Sequence, residues 1–248
     1  MSTEHQPLDA LGVFSHPDDA ELTVAGTLLK LKSLGYRTGV LDMTRGEMGT
    51  RGTPEGRAEE AREAARIMQL DARLNLEQPD GHVALTDEAR RAMVRVFRRV
   101  RPRVVLTSHW DDPHPDHAAT ARIVREAARL ASMRRYDEEY GQAHVPMPAL
   151  AHAVYSRLVV PSFVVDVSDF VAEKMSAIRA HTSQFYREGA DEPETRISDK
   201  NFLTQIEHRM SYYGSLINVA AGEAFYVREA LNVEDPVKLL TQPMNIYS

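Results

Sequence analysis

Residues 11–19 read LGVFSHPDD. The apolar run Leu11 to Ser15 turns at His16-Pro17, and from Asp18 the apolar positions Leu22, Ala25, Leu28, Leu29 and Leu31 share one helical face until Gly35 stops it. A strand that feeds straight into a helix opens a crossover unit, and the chain repeats the pattern. Arg37 to Met43 is a second strand; the glycine-rich loop TRGEMGTRGT follows, and Pro54 starts the helix of GRAEEAREAARIM. Ala72 to Leu76 reads as a weaker third strand, Thr86 caps a helix that turns Met93, Val96, Phe97 and Val100 inward, and RVVLT at 103–107 is a fourth strand. A helix from about His117 to Met133 precedes the strand-like runs AHAVYSRL (151–158) and FVVDVS (163–168); a helix near Lys200 to Leu216 and the run EAFYV (223–227) close the pattern. Strands alternating with helices predict an α/β fold with a mainly parallel sheet covered on both faces. Residues 138–148 are polar and proline-containing, residues 187–198 are charged without periodicity, and both read as surface loops or a mobile lid.

The chain has 248 residues, 43% of them apolar, enough for one sizeable core, and residues 1–248 are expected to form a single domain. A net charge of −6 with both signs interspersed leaves no basic stripe, which argues against nucleic acid as a partner. No apolar run reaches the roughly 20 residues that span a bilayer, and MSTEHQPLDA lacks the charged-then-apolar build of a leader, so the expected location is the cytoplasm. With no cysteine, any metal must be held by His, Asp and Glu, and no thiol can serve as nucleophile.

His-Pro-Asp recurs at 114–116, within DDPHPDH (111–117), after the fourth strand. In a doubly wound sheet the first and fourth strands are neighbours, so both loops face one crevice beyond the strands' carboxyl ends. Carboxylates gathered there repel and desolvate at a cost of several kcal/mol unless a cation joins them. Two His and one carboxylate are a common catalytic zinc set, which assigns His16, Asp19 and His117 as ligands; iron or cobalt suits the same set. Asp18 then faces a water whose pKa zinc lowers to about 7 and acts as general base. His114 stabilises the developing oxyanion or protonates the leaving group, and Asp116 orients it. The bland reading is a pair of ordinary helix starts with solvated loop histidines. His5, His82, His109, His144, His152, His181 and His208 are left as surface or core residues.

On HPDD, TRGEMGTRGT, EAREAARIMQL, LEQPDG, HPDH and YYGSLINVAAGEAFYV, the chain resembles the PIG-L or LmbE-like family of zinc-dependent N-acetylglucosaminyl deacetylases, and most resembles members that deacetylate N-acetylglucosaminyl malate in bacillithiol synthesis. The resemblance implies a Rossmann-like three-layer sandwich, a homo-oligomer such as a hexamer, zinc on His16, Asp19 and His117, and the same roles for Asp18, His114 and Asp116. It adds Arg57 and Asp80 as contacts to sugar hydroxyls. Two departures stand out. AELTVAG follows HPDD where relatives carry a Gly-rich helix start, which makes Thr23 a candidate lining residue, and Asp112 stands where some members place an oxyanion-assisting Tyr.

Arg45, Arg51 and Arg57 cluster around the glycine loop, and this local positive charge suits an anionic aglycone such as malate. Rival readings are a deacetylase of another acetylated amino sugar, an antibiotic intermediate or chitobiose, and a non-catalytic nucleotide-binding module. SHPDDAEL stands where that module needs Gly-x-Gly-x-x-Gly.

Overall fold

The computed structural model describes residues 7–156, 159–189 and 191–242. The start of the leader reading with His5, the end of the 151–158 run, and Ala190 of the 187–198 loop lie outside the described residues.

The first crossover forms as expected: β1 (Ala10–Phe14) leads through the HPD turn into α1 (Asp19–Ser33). Then come β2 (Thr38–Asp42), α2 (Pro54–Ile67), β3 (Ala72–Asn75), α3 (Asp87–Val100), β4 (Val104–Thr107) and α4 (Pro115–Ala131). The caps behave as their residue types require. Pro54 is the first residue of α2, where its missing N–H costs nothing, and the Thr53 and Thr86 hydroxyls accept from Gly56 and Ala89 backbone N–H groups at 3.1 Å each. Beyond α4 lie β5 (Ala149–Ala153), β6 (Phe163–Asp166), α5 (Val171–Arg179), α6 (Phe202–Ser215), β7 (Gly222–Tyr226) and α7 (Pro236–Leu240). The short helices α5 and α7 are additions to the predicted elements.

The sheet order is β3-β2-β1-β4-β5-β7-β6, parallel from β3 to β5, with β7 antiparallel to both its neighbours. Along β1 the side chains alternate between two cores. Leu11 and Val13 pack with α3 and α4, while Ala10 and Phe14 pack with α1 and with Ala177 of α5. The result is three layers, α/β/α. No helix among the described residues is long and apolar enough to cross a membrane.

Two buried charge clusters tie the layers together. Arg73, in the middle of β3, donates to Asp42 of β2 at 2.9 and 3.1 Å and to Glu21 of α1. Lys174 of α5 donates to Glu223 of β7 at 2.6 Å and to the Leu22 carbonyl at 3.1 Å, and Glu223 also accepts from Gly26 and Thr27 N–H at 2.9 and 2.7 Å. Removing one partner of such a buried pair strands the other charge, at a cost of about 3–5 kcal/mol. Lys174→Met is therefore expected to lose about that much in denaturant unfolding and Lys174→Met with Glu223→Leu distinctly less; a single variant within about 1 kcal/mol of the parent would show the pair to be dispensable.

Candidate metal centre

Position 13 of β1 pairs with position 107 of β4, so the turns that follow both strands emerge side by side. Each turn then enters a helix, and the two helix starts aim their side chains at a common point. His16 Nδ1, Asp19 Oδ2 and His117 Nε2 form a nearly equilateral triangle with sides of 3.2, 3.2 and 3.3 Å. Ligand atoms about 2.0–2.1 Å from a tetrahedral zinc stand roughly 3.3 Å apart, so the triangle has the dimensions of one face of that tetrahedron. The outer nitrogens are held as well. His16 Nε2 is 3.1 Å from Asp80 Oδ1 and His117 Nδ1 is 3.2 Å from Asp112 Oδ1, the carboxylate–imidazole backing that fixes tautomer and ring angle in metal sites. Donor chemistry and second contacts both fit a divalent ion.

Electrostatics lead to the same point. Burial disfavours charge on His16, yet the Asp19 carboxylate overrides it and holds the imidazole up at about 11. His117 rises to about 10 in the same way, against burial and because of Asp19. Although burial pushes Asp19 up, His117 and His16 hold it well below the carboxylate range. The three donor atoms thus compete for positive charge, either as protons on the rings or as one cation shared by all three. A second set, His16, His114 and Asp116, also brings ligand atoms within 4.8 Å of one another. Its Asp116 is already engaged, accepting from Gly81 and Val83 N–H at 2.8 and 3.2 Å, and its His114 is exposed.

Asp18 is buried next to the triangle in a left-handed backbone conformation, φ 130°, that a non-glycine residue adopts only under outside constraint. Arg57 supplies the constraint. One guanidinium nitrogen donates to the Pro17 carbonyl at 2.7 Å and to Asp18 Oδ2 at 3.2 Å, and the other to the Gly46 carbonyl at 3.0 Å. Gly46 has φ +68°, and a Cβ there would lie 2.0 Å from Arg57 Nη1, so the guanidinium occupies space that only glycine leaves. Burial pushes the Asp18 carboxyl up to about 6, while Arg57 pulls against it.

These residues line a cleft of about 560 Å³ with Met48, Gly49, His114, Tyr155 and Arg196 on its walls. Asp80 lines it too, but the carboxylate expected to meet sugar hydroxyls faces His16 and accepts from Met48 N–H at 2.9 Å. Arg57, expected in the same role, is committed to Asp18 and two carbonyls. Asp116 does not bond the His114 ring; His114 Nδ1 instead accepts from the Asp116 backbone N–H at 3.3 Å, capping α4. The Thr23 hydroxyl donates to the Asp19 carbonyl at 2.6 Å, behind the ligand and away from the main cleft. Arg45 and Arg51 are not brought to the cleft. Arg45 pairs with Glu55 at 3.0 Å beside a separate hollow, and buried Arg51 pairs with Glu192 at 3.1 Å. Each guanidinium sits beside a carboxylate outside the cleft, which proximity to a glycine loop does not reveal.

Sequence reasoning did not place Asp112, Tyr155 and Arg196 on the wall of the cleft, where the structure has them. For Asp112 a signal existed in the doubled carboxylate before HPDH. Tyr155 sits at the end of a strand-like run and Arg196 in an aperiodic loop, and neither position carries a motif.

Residues 11–128 match the family PIG-L: GlcNAc-PI de-N-acetylase. A diacetylchitobiose deacetylase of Thermococcus kodakarensis is 31% identical over 68% of this chain and 67% of its own length. The chain belongs to the PIG-L family. Among PIG-L relatives, a probable N-acetyl-alpha-D-glucosaminyl L-malate deacetylase of Bacillus anthracis is 28% identical over 70% of this chain and 80% of its own. The crystal structure of the conserved protein TT1542 from Thermus thermophilus superposes with a TM-score of 0.82 at 37% identity, covering 92% of this chain and 98% of that one. The α/β class and the PIG-L resemblance read from the sequence both stand.

If Asp112 fixes the His117 ring for a metal, Asp112→Asn should weaken zinc about 10- to 100-fold in competition with a chromogenic chelator. Unchanged affinity would leave Asp112 without a part in holding the metal.

Proposed function

We propose that this chain is a metal-dependent hydrolase that removes the acetyl group from an N-acetylglucosamine conjugate, with N-acetylglucosaminyl L-malate, as in bacillithiol synthesis, as its substrate. The observation that carries the reading is the triangle of His16, Asp19 and His117 donor atoms with the Asp18 carboxyl buried beside it. Zinc on these three side chains, or iron or cobalt in its place, would acidify a water and polarise an acetyl carbonyl.

The chain's own residues supply the rest. Asp18, raised by burial into the range where a carboxylate accepts and releases protons near neutrality, takes the proton of the attacking water. Arg57 holds that carboxylate in place through its bonds to Asp18 and the Pro17 carbonyl. His114 stands at the cleft wall with its ring 4.6 Å from that of His117, placed to stabilise the tetrahedral oxyanion. It or Asp18 returns a proton to the departing amine. Asp80 and Asp112 keep the two ligand rings oriented, and Asp116 supports His16 and the 81–83 turn. We propose further that residues 1–248 form one domain that assembles into a homo-oligomer, as a hexamer, in the cytoplasm.

The Bacillus relative supports the malate conjugate, and the Thermococcus relative supports diacetylchitobiose as a second reading. A nucleotide-binding module fits less well, because Asp18, Asp19, Asp80 and Asp112 line the cleft and their negative charge repels phosphates.

Acetate release from N-acetylglucosaminyl malate and from diacetylchitobiose should vanish on chelation and return with zinc. Asp18→Asn should retain zinc but lose at least about 100-fold in kcat, within the range that a general base contributes. Turnover untouched by chelation, or a near-normal rate in Asp18→Asn, would overturn the assignment.

A further inference from the structure

The cleft is crowded with negative charge, and its positive groups are mostly engaged. Asp18, Asp19, Asp80 and Asp112 line it; Arg57 is locked to Asp18 and two carbonyls. Arg196 also lines the cleft, and its guanidinium makes no ion pair or hydrogen bond among the described residues. Its exposed side chain belongs to the loop whose Glu192 binds Arg51 at 3.1 Å, so the loop is fastened to the glycine-rich segment on the opposite wall. The charge reaches inward: burial pushes the Tyr155 phenol up to about 12, and Arg196 is among the groups that pull it back.

Arg196 stands at a junction. It lines the catalytic cleft and also a neighbouring hollow of about 650 Å³ whose wall includes Tyr186, Thr195, Ser198 and Gln205. The other charges around that hollow are Glu194, Asp199 and Lys200, so Arg196 brings its balance from net negative to neutral, and without it an anion would meet net repulsion there. Arg196 is shared by the walls of both spaces, so a substituent that leaves the cleft toward this hollow passes it.

We propose that Arg196 is a specificity-determining residue that recognises a carboxylate on the substituent of the amino sugar. The inference rests on the deacetylase reading and adds to it the residue that would read the anionic substituent. An anion entering this cleft meets repulsion from the aspartates, and a guanidinium with free donors is the group that offsets it with two parallel hydrogen bonds. Lysine supplies the charge without the planar fork, so Arg196→Lys should keep part of the effect and Arg196→Gln none of it.

The test compares N-acetylglucosaminyl malate with the methyl glycoside of N-acetylglucosamine. Arg196→Gln should raise KM for the malate conjugate about 10- to 100-fold, the range of a charge-assisted pair, with kcat and all constants for the methyl glycoside unchanged. Arg196→Lys should fall between. Calorimetric binding of the deacetylated products, glucosaminyl malate and methyl glucosaminide, supplies a readout independent of turnover, and only the first should weaken in Arg196→Gln. Equal losses on both glycosides would make Arg196 structural, and equal affinity of parent and variant for glucosaminyl malate would end the proposal. If neither acetylated sugar is hydrolysed, the deacetylase reading falls, while the product-binding comparison still decides the role of Arg196.

Discussion

The parallel pairing of β1 with β4 is the constraint on which the site depends. It places residues about 90 positions apart in the chain on neighbouring strands, and it does so at the point in the parallel part of the sheet where the crossovers to β2 and to β5 depart in opposite directions. Two turns that each begin an ordinary helix become one site because their strands share a register. The three donor atoms lie 3.2–3.3 Å apart, which requires that register to hold. A slip by one residue would reverse every side chain of the strand and separate the two halves.

Charge is handled in layers. Innermost, Asp19 faces two imidazoles; behind them Asp80 and Asp112 face the same imidazoles from outside, and Arg57 balances Asp18. Deeper in the fold, Arg73 balances Glu21 and Asp42, and Lys174 balances Glu223. Each of these buried carboxylates has a cation or a set of backbone N–H groups in reach, which is the condition for burying it without large loss. Helix α1 joins the two systems: its first turn carries Asp19 and Glu21, and its middle gives two N–H groups to Glu223.

Much of this was legible in the sequence, for identifiable reasons. The alternation of short apolar runs with helical periodicity marked the parallel sheet, and the repeated His-Pro-Asp at two strand ends marked the cluster of His16, Asp18, Asp19, His114 and His117. The third strand read weakly because Arg73 interrupts it, and only the structure shows that Glu21 and Asp42 bury that charge. Helix α5 went unseen because its buried residues include Lys174, whose partner is 49 positions away. Arg45 and Arg51 looked near the site beside a glycine loop, yet the fold sets each against a carboxylate outside the cleft, while Arg196 had no periodicity or motif to single it out. Local pattern reports elements and repeated words; it does not report which charges find partners across the fold.

The backbone of Asp18 carries a last consequence. At φ 130° it occupies a region that an aspartate in a free peptide seldom visits, and it stays there because Arg57, arriving from another helix, grips the carbonyl before it and the carboxylate itself. The HPDD word is therefore not portable. Grafted onto another strand-to-helix turn, the same four residues would relax, Asp18 would swing away from Asp19, and the ring of His16 would lose its backing. The arrangement is stored in the tertiary structure, and it exists only where the second crossover is docked and holds its arginine against the first.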